Sequence, residues 1–140
     1  MTSKEFLEQA YWLDKRIDAK IQQVANLHNL ATSARTTITD MPGSPSRNVH
    51  RMEDTIVKII DLEADINRDI DTLVDLKGKI RRLINRMDNP EHQYLLEMRY
   101  QNFCPWEEIA VSMGYSLHHV YKKHSLALEE FAEIYKVDTK

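Results

Sequence analysis

The stretch 97-EMRYQNFCPWEEIAVSMGYSLHHVYKKHSLALEEFAEIY-135 decides how this chain is read. Its spacing predicts two helices joined by a tight turn. Pro105 suits the start of a helix, where the missing N–H costs nothing, and Glu107 and Glu108 follow it in the first turn. Met113 ends that helix and Gly114 comes next, the residue that most readily takes φ > 0 where the chain reverses. Ser116 then stands where an N-cap belongs. Beyond it Leu117, Val120, Ala127, Leu128 and Phe131 recur at helical spacing. His118, His119, Tyr121, Lys122 and Lys123 are left mostly on the other face. Such a pattern predicts a helix-turn-helix, whose second helix is the usual reader of the major groove.

At these residues the chain resembles a known module. Arg99-Tyr100, Trp106-Glu107-Glu108-Ile109-Ala110, Met113-Gly114-Tyr115-Ser116, Val120 and Ala127-Leu128 are similar to the fourth conserved region of bacterial sigma factors. The wording is closer still to RinA/ArpU-like phage regulators of late operons, which carry this module behind a helical half. The motif covers the last third of the chain. It departs from the pattern at Pro105, where Ser or Thr is usual, and at Glu129-Glu130, which replace basic residues. The resemblance implies promoter recognition as a transcriptional regulator of late genes, with double-stranded DNA and host RNA polymerase as partners.

Working outward, residues 51–87 carry the strongest periodicity. Met52, Ile56, Ile59, Leu62, Ile66, Ile70, Leu73, Leu76, Ile80, Leu83 and Met87 form an unbroken apolar series. Its mean step is close to ~3.5, the coiled-coil period. A lone helix would leave that stripe in water at about 25 cal/mol per Å². Residues 3 to about 35 carry a matching stripe, with Phe6, Ala10, Leu13, Ile17 and Ile21 along it. The two can cover each other as an antiparallel pair, and a second copy of the chain can add to the cover. The seam is assigned to Ile56, Ile59, Leu62, Ile66, Ile70, Leu73, Leu76 and Ile80.

Between about residues 32 and 49 the periodicity fails. Thr36, Thr37, Thr39, Pro42, Gly43, Ser44 and Pro45 predict a connector. Gly78 interrupts the second long helix, as a close contact or as a bend. Asp88-Asn89-Pro90 ends it, with Asn89 as the next cap and Pro90 at the first helical position. Tyr94, Leu95, Met98 and Tyr100 should then wall a small core with Trp106, Ile109 and Val120.

The expected fold is therefore all-α. Residues 1–88 form a long antiparallel helical hairpin, coiled-coil-like, and residues 89–140 a helix-turn-helix head resembling sigma region 4. DNA contact is assigned to Ser116, His118, His119, Tyr121, Lys122 and Lys123, since lysine can donate to guanine and free helical N–H groups can meet phosphate. The competing reading is a solvated polar face. Lys79, Arg82 and Arg86 are secondary phosphate contacts, although such a run is more plainly a solvated helix end favoured by the dipole.

Net charge is −3 and pI about 6.1, so nucleic-acid contact has to come from a local patch backed by self-association. His92, His118, His119, His124 and Cys104 match no metal-ligand spacing, and no metal or cofactor is expected. No phosphate loop or nucleophile elbow appears, so an enzyme is not expected. One cysteine, no apolar run of bilayer length and an acidic first segment predict a cytosolic protein, and the resemblance implies the cytoplasm of a bacterial host. The rival class is a coiled-coil adaptor that grips polymerase or another protein without reading DNA.

Overall fold

The computed structural model describes residues 1–40 and 45–139, with side chains described outside 34–48. Among the described residues the chain is all-helical, with no strand. Helix α1 is Ser3–Asp40, α2 Pro45–Ile84, α3 Pro90–Leu96, α4 Trp106–Met113 and α5 Leu117–Asp138, and a π-helical turn, Glu97–Gln101, follows α3. No helix among these residues is long and apolar enough to cross a membrane.

The predicted connector is shorter than its composition suggested. Helix α1 runs on to Asp40 and α2 begins at Pro45, and the residues between lie outside the described ones. Threonine does not by itself end a helix, because its hydroxyl can bond back to the carbonyl four residues earlier. Thr32 Oγ1 donates to His28 O at 3.0 Å in this way. Proline at a first helical position is equally compatible.

The chain divides into two compact units, Asp14–Thr72 and a second made of Met1–Leu13 with Leu73–Lys140. The sequence reading cut the chain at residue 88. The larger unit instead takes in the first turns of α1 and the last turns of α2.

That larger unit closes a core from every one of its helices. Leu7, Ile80, Leu95, Ile109, Val120 and Phe131 have no exposed surface. The Phe6 ring lies tilted against Tyr135 at 5.1 Å, while its neighbour Leu7, off the expected stripe, is the residue fully enclosed. Asn89 caps α3, its side chain accepting from Glu91 N at 2.9 Å and His92 N at 3.3 Å. Gln93 Nε2 donates to both Ile84 O and Met87 O at 3.0 Å, tying α3 to the chain that leaves α2. Tyr94, expected in the core, is exposed and bonds Ser112 Oγ at the surface. Met98 and Trp106 are only half-buried. Tyr100 is buried, carried inward on the π-helical turn. Phe103 follows at φ 55°, a conformation a bulky side chain takes only under constraint, with its ring between Tyr11 at 5.9 Å and the Lys77 ammonium at 4.6 Å. Gly78 meets no tight neighbour: a Cβ there would approach only the tip of Arg82, at 3.7 Å. The close-contact reading of that glycine is thus not supported.

In the smaller unit Lys20 of α1 forms an ion pair with Asp69 of α2. Ile17, Ile59 and Ile66 are buried. Of the eight assigned seam residues along α2, Ile59, Ile66, Leu73 and Ile80 are buried and Leu62 and Leu76 half-buried. Ile56 and Ile70 are not enclosed, at 44% and 40% exposed. The apolar sector of α2 is wider than the strip that one neighbouring helix covers.

Candidate nucleic-acid interface

The turn between α4 and α5 rests on two residues. Gly114 adopts φ 74°, ψ 28°, and the N–H of Tyr115 donates to Ala110 O at 3.0 Å, closing the end of α4. Ser116 Oγ accepts from His119 N at 3.1 Å and caps α5. Ser116 is therefore occupied as a cap. Val120, Ala127 and Phe131 face inward and are fully buried, so His118, His119, Tyr121 and Lys122 are turned outward and exposed.

These outward residues are not equivalent. Among the described residues, the side chains of His118 and Lys122 form no hydrogen bond or ion pair. The Tyr121 ring meets Trp106 edge-on at 5.5 Å, and His119 lies 4.3 Å from the Tyr115 ring. Lys123, assigned to the same face, is half-buried and ion-paired to Glu91 of α3. Tyr115 OH donates to the other oxygen of Glu91 at 2.7 Å. Bonds from Lys123 first and Tyr115 second hold the Glu91 carboxyl below its ordinary pKa. The same bond to Glu91 raises the Lys123 ammonium. Lys123 thus ties α3 to α5, and its charge is shared with Glu91. Its partner lies far back in the chain, beyond the reach of helical periodicity.

His124 is half-buried and packs edge-on against Trp106 at 4.6 Å. Burial first, then the charges of Lys4 and Arg99, depress its pKa to about 4, so it is neutral near pH 7. Burial, with Glu8, pushes the Tyr100 hydroxyl up to about 12. The Tyr100 hydroxyl and His124 Nε2 share a hydrogen bond at 2.8 Å. The Arg99 guanidinium lies over Trp106 at 4.5 Å and over Tyr11 at 5.5 Å. A π-helical turn that re-aims Arg99 and Tyr100 is not visible in a 3.6-residue pattern.

Glu130, one of the two acidic residues noted after the outward face, has a structural task. It accepts from Asp88 N at 2.9 Å and bonds His92 Nδ1 at 2.9 Å. Burial pushes its carboxyl up, but the bonds from His92, Asp88 and Asn89 outweigh this and leave it below its usual value.

Lys79, Arg82 and Arg86 come together in a groove of about 340 Å³ with Phe6 and Tyr135. Arg86 is paired to Asp138 at 3.1 Å, which removes part of the positive charge. Among the described residues no three His, Cys, Asp or Glu side chains are grouped as metal ligands.

Residues 30–132 match the family described as "Protein of unknown function (DUF1492)", well over half of the chain. The chain belongs to DUF1492. The matched stretch of this DUF1492 chain takes in α2, α3, α4 and most of α5, and with them Gly114, His118, Tyr121 and Lys122. No curated protein and no solved structure matches it.

Proposed function

We propose that the protein is a sequence-specific DNA-binding regulator of transcription. Its α4–turn–α5 segment acts as a helix-turn-helix of the sigma region 4 kind, carried on an antiparallel helical hairpin formed by α1 and α2. One observation carries the reading. A glycine in the left-handed region and a serine cap orient α5 so that His118, Tyr121 and Lys122 are exposed together at its first turns while Val120 is buried. Lysine reaches guanine O6/N7, and histidine and tyrosine bond or stack on base edges. The likeness of the motif to RinA/ArpU-like regulators supports promoters of phage late genes as targets, in the cytoplasm of a bacterial host, with host RNA polymerase as a second partner. Self-association supplies two half-sites to a chain of net charge −3.

The test is a duplex selected from random sequence and titrated at rising salt, where log K should fall linearly. Lys122→Ala should weaken binding about tenfold with the melting temperature unchanged. Lys123→Ala should weaken it less, because that ammonium is already shared with Glu91. If single alanines at His118, Tyr121 and Lys122 all leave affinity at the parent value, α5 does not read DNA.

The second reading, a protein-binding adaptor, is favoured by a different surface. Val111 is 83% exposed on α4, in the helix that opens with Glu107 and Glu108. It predicts binding to polymerase that survives loss of Lys122.

A further inference from the structure

Helix α2 carries a second apolar row that is distinct from its buried one. Ile56, Ile60, Ile70 and Val74 are 44%, 59%, 40% and 62% exposed. They fall in steps of four and three around Glu63 and Asn67, on the heptad spacing of a helix seam. Ile60 follows the buried Ile59 and so points about 100° away from it. On the opposite flank of the buried row, Asp69 is taken by Lys20 of α1. Helix α2 thus has a covered side and, a quarter-turn round, an uncovered one. A helix in a four-helix bundle has this arrangement, with two neighbours rather than one.

We propose that the uncovered row docks on the same row of a second copy, with the two α2 helices antiparallel. The sequence of the row sets the register. Aligned antiparallel about a two-fold axis between Glu63 and Asn67, Ile60 meets Ile70 of the other copy and Ile56 meets Val74. Glu63 meets Asn67, whose amide can donate to it, and Glu53 meets Lys77. A parallel alignment in register would set Glu63 on Glu63, Glu53 on Glu53 and Lys77 on Lys77. Like charges facing each other in a seam oppose association, so charge selects the antiparallel form. The proposal specifies the self-association invoked above and is independent of whether α5 reads DNA.

The experiment uses the full chain without DNA, by sedimentation equilibrium and by oxidative crosslinking in a Cys104→Ser background. The parent should sediment as a dimer at micromolar concentration, and Ile60→Asp as a monomer with unchanged helical circular dichroism. In the antiparallel form the two copies of residue 60 stand roughly 15 Å apart along the axis, ten residues at about 1.5 Å each. Ile60→Cys alone should therefore fail to link, whereas Ile60→Cys with Ile70→Cys should give a covalent dimer. A parent that is monomeric throughout, even one that captures some other protein, overturns the proposal. So does rapid linking of Ile60→Cys alone, which marks a parallel pair. A dimer formed with neither linkage nor sensitivity to Ile60→Asp assigns the contact elsewhere. Should Ile60→Asp fail to fold, the crosslinking pair still decides.

Discussion

The two compact units solve the burial problem to different degrees. In the larger one, side chains from all its helices, Leu7, Ile80, Leu95, Ile109 and Phe131 among them, reach zero exposure. In the smaller one the best-buried apolar residues, Ile17, Ile59 and Ile66, retain 5%, 6% and 8%, and Ile21, Ile56, Ile60 and Ile70 are exposed. Three helices and a π-helical turn packed with two helix ends can surround a core. Two long helices present only a seam, and half of a wide apolar stripe stays in water. The difference teaches that the larger unit has the enclosure a self-sufficient fold requires, whereas the smaller needs further cover.

The strongest way to break this contrast is to truncate one buried residue in each unit. Leu95→Ala should cost about 3–4 kcal/mol and Ile66→Ala about 2 kcal/mol, measured by urea unfolding at one protein concentration. Equal losses would erase the distinction. A pH titration sharpens it next. His124 has a folded pKa of about 4 against an ordinary value of 6.5, so the unfolded chain takes up the proton first. Stability should be full above pH 6.5 and decline as pH falls toward 4. Fluorescence of Trp106, whose ring lies 4.6 Å from His124, should follow the loss, and His124→Gln should flatten it. A parent whose melting temperature is the same at pH 7 and pH 5 would contradict that assignment. The smallest effect is a gain. Gly78→Ala, with only the Arg82 tip near the added methyl, should raise stability by about 1 kcal/mol. A loss at this position would show that the glycine is required after all.

Local signals in the chain translated well into local structure. Asn89-Pro90, Gly114 and Ser116 each stand at the helix end that their chemistry implies, because a cap depends on neighbours within one turn. Periodicity likewise identified which residues of α2 want cover. It could not say what provides it: Ile59 is enclosed and Ile56 is not, though both belong to one apolar series in the sequence. Pairings across long stretches of chain were out of reach for the same reason. Nothing near Lys123 announces Glu91, and nothing near Leu7 announces a place in a core built mostly from residues beyond 73. The π-helical turn escaped because its one-residue excess shifts the phase of the pattern without interrupting it.

Residues 1–13 belong to the same unit as residues 73–140, so the earlier segment waits for the later one. Until α5 has left the ribosome, Leu7 and Ala10 have no interior to enter, and a chain stopped early exposes them to whatever binds bare apolar helix. Closing so large a loop makes folding of this unit a late event in the life of each molecule. A prematurely terminated product would then be inert and short-lived, not partly active.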